Sequence, residues 1–205
     1  MSRGETGPIR LGYHGSRLVA DRIVVAAGRA VDDVAFVQYD ITEPFRALRE
    51  GRIDAMVVKF GIDEPDLVAG ADLAEEQRVV VVGARHPLAD RESVSVEEVA
   101  DHPVFDRPGN LPGYVWDRVV PRSTPAGKPL RRAHRAGDIA AMMALVAAGD
   151  AVHLSVGSLA DVAPPGVRVV PVRDLPPAPV ALAWRRDLDR ADVLRFVADA
   201  ERGRA

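Results

Sequence analysis

The residues able to do chemistry sit in short stretches: "YHGS" (13–16), "VKFG" (58–61), "FDRPG" (105–109), "GDIAAMM" (137–143) and "VHLS" (152–155). Tyr13, His14, Asp40, Lys59, Asp106 and His153 are acids and bases suited to proton transfer, and His14, Asp40, Lys59 and His153 are the candidates for a catalytic role. Lys59 and Arg107 supply positive charge, and Arg107 can grip a carboxylate with two parallel N–H bonds. The chain has no cysteine, which excludes disulfides and thiolate metal sites. Its histidines, at 14, 86, 102, 134 and 153, form no i,i+4 pair and no H-E-x-x-H, so no metal is expected. No G-x-G-x-x-G, phosphate-cradling glycine loop or G-x-S-x-G elbow occurs, so no cofactor is expected either. Two chemistries remain: recognition of a small anion and cofactor-free proton transfer.

The elements that must position these residues alternate between a period of two and a helical period. Strands are expected over 8–14, 33–39 and 53–60, with helices over 17–30 and 43–50. Thr42 reads as the N-cap of the second helix, Pro44 lies in its first turn, and Gly51 stops it. Such a βαβαβ start argues for a parallel, doubly wound sheet. A second region opens near 79 with "RVVVVGARHPL", and Ser95 with Glu98 has the form of a capping box. Helices follow over 111–120 and 137–149, the latter with an apolar face of Ile139, Met142, Met143, Leu145 and Val146 and an end at Gly149. Short strands are read in "HPVF", "PLRRAHRA" and 151–155. After 163 the chain turns rich in Pro and Gly, with strands over 167–172 and 179–185 and a last helix over 189–202. The order implies an α/β fold of two Rossmann-like lobes: 1–80 plus 164–205 as lobe I, and 81–163 as lobe II.

In such folds ligands lie beyond the carboxyl ends of strands. That rule places the loops after 13, 39, 58, 105 and 155 at an interlobe cleft, together with the start of the 137–149 helix. Helix starts at Gly15-Ser16 and at Ala136-Gly137-Asp138 offer N–H groups and a partial positive charge to an anion, most naturally a carboxylate. The expected ligand-binding residues are His14, Gly15, Ser16, Thr42, Lys59, Phe60, Arg107, Pro108, Gly137, Asp138 and Ser155. Arg131, Arg132 and Arg135 read as solvated surface, since no aromatic residue stands between them for a base to stack on.

Composition narrows the class. The 205 residues are 47% hydrophobic, enough for a substantial core. A net charge of −3 gives no basic excess for nucleic acid. There is no apolar leader and no apolar run long enough to span a bilayer. A cytoplasmic protein with no membrane partner is expected.

Several of these stretches, in this order, resemble the effector-binding domain of LysR-type transcriptional regulators, which has the type 2 periplasmic-binding-protein fold. "GETGPIRLGYHGS" is similar to the family's linker end and first strand, and "FRALREGRIDAMVV" to its L-x-x-G-x-L-D-x-A-I segment. "VVVVGARHPLADRESVSVEEVADHPVF", "MMALVAAGDAVHLS" and "PVALAWRRD" resemble its later blocks. The chain departs from the family at "GDAVHLSV", where Asp150, His153 and Ser155-Val156 stand in place of apolar residues and Leu-Pro.

The resemblance implies a small-molecule sensing module for transcription regulation that forms a homodimer through its first helix. It also implies a winged helix-turn-helix ahead of "GETG". Met1-Ser2-Arg3 takes that place here, so a sensor without its DNA reader, and with no nucleic-acid partner, is expected. The chain would be a piece of a longer protein or a natural stand-alone one. The competing reading is a stand-alone cofactor-free cyclase, isomerase or dehydratase in a biosynthetic pathway, because the same binding fold hosts such enzymes.

Overall fold

Alternating Ile9 and Leu11 face one side of a strand, and the computed structural model shows how that side is covered. It describes residues 7–135 and 138–203. In chain order these form β1 (Ile9–Tyr13), α1 (Arg17–Ala26), a 3-10 turn (Val31–Asp33), β2 (Val34–Gln38), α2 (Arg46–Arg49), β3 (Ala55–Lys59), β4 (Leu67–Ala69), β5 (Ala74–Glu76) and β6 (Arg78–Gly83). Then come α3 (Val96–Val99), β7 (Val104–Phe105), α4 (Gly113–Val119), β8 (Arg132–His134), α5 (Ile139–Ala148), β9 (His153–Val156), a 3-10 segment (Gly157–Val162), β10 (Val167–Pro171), β11 (Ala178–Arg185) and α6 (Ala191–Arg202). The chain divides into two compact units: Met1–Tyr39, Phe45–Ala74 and Val180–Ala205, and Asp40–Pro44 with Glu75–Pro179.

The first unit is built on a sheet of order β2-β1-β3-β11-β4, with β5 pairing β11. β1 runs parallel to β2 and β3, and β11 runs antiparallel to β3 and β4. The inner strands are apolar on both faces because both faces are covered. Ala55, Val57, Val180 and Leu182 pack with Ile9, Leu11 and the α1 and α6 residues Ile23, Val24, Val193 and Phe196. Met56, Val58, Ala181 and Ala183 pack on the other side with Phe45, Leu48, Ile53 and Leu67. Val193, Phe196, Val197 and Ala200 follow the i, i+3, i+4, i+7 spacing of one helix face. At the head of β3, Asp54 is 3% exposed and is held by Arg10 through its backbone N–H, Nε and Nη2, and by Arg190 Nη1.

In the second unit β6 is the centre of an antiparallel sheet of order β10-β6-β9. Its residues, Arg78 included, are all buried. β7 pairs with β8 in parallel. The Ser95–Glu98 capping box is present at α3. Gly149, with φ +87, ends α5 as its spacing predicts. At Gly83 a Cβ would lie 2.8 Å from Val146 O, so β6 approaches the α5 backbone closely.

Some local readings change. The helix expected over 43–50 shrinks to Arg46–Arg49, and Thr42 is not its N-cap. Asp40 Oδ1 accepts the Thr42 N–H at 2.8 Å, which makes an Asx-type turn, and Pro44 has no N–H to give. The short strands β4 and β5 lie between 61 and 78, where the sequence suggested no element. The unit boundaries fall at Ala74/Glu75 and Pro179/Val180 rather than at 80/81 and 163/164. The cause is pairing: β10 lies against β6 with Val167 opposite Gly83, and Asp174 Oδ1 accepts the first N–H of α3 from Val96 at 2.8 Å.

Candidate functional site

In the first unit two adjacent parallel strands release their chains at the same end. Gly12 of β1 stands opposite Met56 of β3, and Tyr13 and Lys59 are the last residues of their strands. Beyond β1, Gly15 takes φ +74, and Ser16 N-caps α1 by accepting the Leu18 N–H at 3.3 Å. Ser16 is 2% exposed. His14 Nδ1 lies 3.3 Å from Tyr39 O. A carbonyl only accepts, so Nδ1 is the donor in this contact. Tyr39 braces this corner: its N–H donates to Tyr13 O at 2.9 Å and its hydroxyl to Val57 O at 3.1 Å. Burial pushes the Tyr39 phenol far up, so it is a hydrogen-bonding strut and not an acid.

Beyond β3, Lys59 is half-buried and Phe60 is buried with φ +67, as is Gly61's φ. Among the described residues Phe60 is the only non-glycine at positive φ. An aromatic residue held there is strained, and such strain gathers at sites that bind. Lys59, the α1 N-terminus and His14 thus stand on neighbouring strand ends, a set able to hold an anion.

In the second unit Thr42 and the "DRPGN" loop come together. Asn110 N–H donates to Thr42 O at 2.7 Å, and a Cβ on Gly109 would meet Thr42 O at 2.6 Å. Pro108 is buried. Arg107 is exposed and donates through Nη1 to Leu111 O at 3.1 Å. The Arg107 backbone N–H and the Arg135 guanidinium hold the Asp106 carboxyl below its ordinary range. Asp138 N-caps α5, its Oδ1 taking the Ala141 N–H at 2.7 Å, while Gly137 lies outside the described residues. Among the described residues no three of His, Cys, Asp and Glu gather to hold a metal ion. His86 and His102 do meet, with ring centroids 4.4 Å apart, but His86 Nδ1 already accepts the Leu88 N–H.

Residues 33–202 match the family model described as the LysR substrate binding domain. The chain belongs to that family. No curated protein matches it, but LysR domains of solved structure do share its fold. CbnR, a LysR family transcriptional regulator, superposes with a TM-score of 0.75 at 19% identity, over 99% of this chain and 72% of that one. The effector binding domain of QuiR in complex with shikimate gives 0.72 at 18%, over 98% of each chain. The BenM effector binding domain with its effector benzoate gives 0.67 at 22%, over 95% of this chain and 90% of that one. The fold of this LysR substrate-binding domain is the type 2 periplasmic-binding-protein fold expected from its motifs.

Within the LysR domain the sequence candidates separate into groups. His14, Gly15, Ser16, Lys59 and Phe60 share one end of the first sheet. Thr42, Pro108 and the loop bearing Arg107 share a corner of the second unit. Asp40 is exposed, with Oδ1 taken by the Thr42 N–H. Ser155 is half-buried in β9, and its carbonyl accepts from Arg78 Nε at 3.3 Å. His153 is buried, and burial together with the Arg78 charge pulls its imidazole down to about 4. It is therefore neutral at pH 7, stacked on Trp116 with ring centroids 6.1 Å apart.

Sequence reasoning missed Arg78, which is 2% exposed. It donates through Nη1 and Nη2 to the Arg118 and Val119 carbonyls at the end of α4. Burial pulls its guanidinium down to about 10, and a charged residue heading the "RVVVVG" run was the available signal. The twist at Phe60 left no such trace, because nothing in a phenylalanine announces a positive φ.

Proposed function

We propose that this LysR substrate-binding domain binds a small anionic effector, most naturally a carboxylate. The observation that carries the reading is that Lys59 and the N-capped start of α1 follow two neighbouring, parallel strands at the same end of the sheet. A ten-residue helix presents its free first-turn N–H groups and positive dipole end there. In this reading His14, Gly15, Ser16, Lys59 and Phe60 are the first unit's ligand contacts. An effector changes the balance of conformations only by binding one better than another, which is how the domain would signal. The test is calorimetric titration with benzoate and shikimate. Lys59→Met removes one charge-assisted hydrogen bond, about 1.5–3 kcal/mol, or roughly ten- to hundredfold in affinity. Unchanged affinity in Lys59→Met refutes the placement.

The domain is further proposed to form a homodimer through α1. Leu18 and Val25 are 50% and 62% exposed on that helix, an apolar surface suited to a second copy. Light scattering at high concentration reads the outcome: a monomer mass overturns it, and a dimer that Val25→Asp dissociates supports it.

A further inference from the structure

The stretch "GARHPLAD" leaves β6 and folds back on itself over 83–91. His86 N–H donates to Gly83 O at 2.9 Å, Ala89 N–H to His86 O at 2.9 Å and Arg91 N–H to Leu88 O at 3.2 Å. Pro87 has no N–H to give, so the next backbone donor is Leu88, and the His86 ring takes it: the Leu88 N–H reaches His86 Nδ1 at 3.2 Å. Leu88 is turned inward, 7% exposed, next to an exposed Pro87. A backbone N–H only donates, so Nδ1 is the acceptor in this contact and carries no proton. An imidazolium holds N–H groups at both ring nitrogens and accepts nothing. The contact therefore exists for the neutral ring alone.

A second imidazole stands against the first. His102, just beyond α3, lies edge-on to His86 with ring centroids 4.4 Å apart, and its backbone N–H is fixed to Val99 O at 3.0 Å. Both residues are half-buried. Two imidazolium charges held so close repel, and burial first, then the His102 charge, hold the His86 ring below its ordinary value. The carboxylates near the pair have other partners. Asp101 is paired with Lys128 at 2.5 Å, Glu98 with Arg91 at 3.5 Å, and Glu97 Oε1 accepts the Ala126 N–H at 2.9 Å. Arg85 and Asp90 on the turn are exposed, and Arg168 on the adjacent β10 donates to Val167 O at 3.0 Å. We propose that His86 and His102 form a proton-operated latch: the neutral pair holds the 83–91 turn shut, and a proton taken up by His86 breaks its bond from the Leu88 N–H and opens the turn. The proton comes from solvent and leaves again when pH rises. The closed turn favours the neutral ring, so the latch is shut above the ordinary histidine value of 6.5 and loosens as pH falls below it.

NMR on the full chain tests it. The Leu88 amide nitrogen shift should titrate together with the His86 ring, at a midpoint below 6.5. Hydrogen exchange gives the second reading. As pH drops from 7 to 5, protection of the Leu88 amide should fall by up to about tenfold per unit relative to the same amide in His86→Asn. An asparagine accepts the N–H two residues on, as it does in turns, and takes up no proton. The acid response of His153 is common to both proteins and cancels, and the Val80 amide in the middle of β6 should behave alike in the two. His102→Ala removes the second charge and should shrink the fall. A Leu88 amide that ignores the His86 titration, a fall that is equal in His86→Asn, or one that His102→Ala leaves untouched overturns the latch.

Discussion

Acid should destabilise the second unit through one residue. His153 titrates near 4 when folded against an ordinary value of 6.5, first because of burial and then because of the Arg78 charge. Between those values the unfolded chain binds a proton that the folded chain refuses, so stability falls as pH falls. Above 6.5 the residue contributes no pH dependence, and below about 4 both states are protonated and no further loss accrues. The gap from 6.5 to about 4, at ~1.4 kcal/mol per unit, gives a loss of about 3 kcal/mol across that window. Each unit holds one tryptophan, Trp184 in the first and Trp116 in the second. In a Trp184→Phe background, fluorescence therefore follows unfolding beside the His153 ring itself. Urea midpoints would be measured from pH 7.5 to 4 for this protein and for the same protein carrying His153→Leu. Carboxylate effects are common to both and cancel in the difference. The difference should be flat above pH 6.5 and grow by about 3 kcal/mol in favour of the leucine variant by pH 4. Two parallel curves would show that the imidazole is not sealed from protons, and the reasoning would fail.

Two further perturbations probe the packing. Burial raises the Asp54 carboxyl, but its bonds from Arg10 outweigh this and hold it below the ordinary carboxylate range. Asp54→Asn should cost about 3 kcal/mol, at the low end for a buried pair because the Arg10 and Arg190 side chains stay 39% and 22% exposed. Urea unfolding followed at Trp184 checks it, and a loss under about 1 kcal/mol would mean a pair worth no more than one at the surface. At Gly83 an added Cβ meets the Val146 and Ala147 carbonyls at 2.8 and 3.1 Å. Gly83→Ala should therefore cost about 1–3 kcal/mol through overpacking, and an unchanged melting temperature would contradict the close approach of strand and helix.

What could be read in the chain beforehand was whatever local rules control. The helix start at Gly15-Ser16, the Ser95–Glu98 box and the stops at Gly51 and Gly149 each depend on neighbours within a few residues, and each stands where it was read. Thr42 failed as a cap because Asp40 turns the chain there and the helix begins only at Arg46. The pairing of β10 with β6 is different: nothing between 164 and 179 says which sheet will accept that strand. In the candidate site, the shared position of His14, Ser16 and Lys59 at one end of the first sheet was legible because adjacent parallel strands release their chains at the same end. Asp138, expected among the ligand-binding residues, stands in the structure as the N-cap of α5. The slot around His153 needed Phe105 and Trp116, which come from two other elements, and no spacing rule joins them.

The position of β11 has a consequence for how the molecule is made. This strand is inserted between β3 and β4, yet it follows residues 75–177 in the chain. A ribosome therefore delivers the second unit's strands before it delivers the strand that completes the first sheet. Until then β3, an apolar run of Ala-Met-Val-Val, has a bare edge where β11 belongs. Unpaired apolar edges are where nascent chains associate wrongly. The hazardous interval in biosynthesis is the time taken to add roughly a hundred residues, several seconds to tens of seconds at ordinary translation rates. Codon choices that slow elongation across 75–179 would lengthen it, and chaperones that cover extended segments would be most needed there.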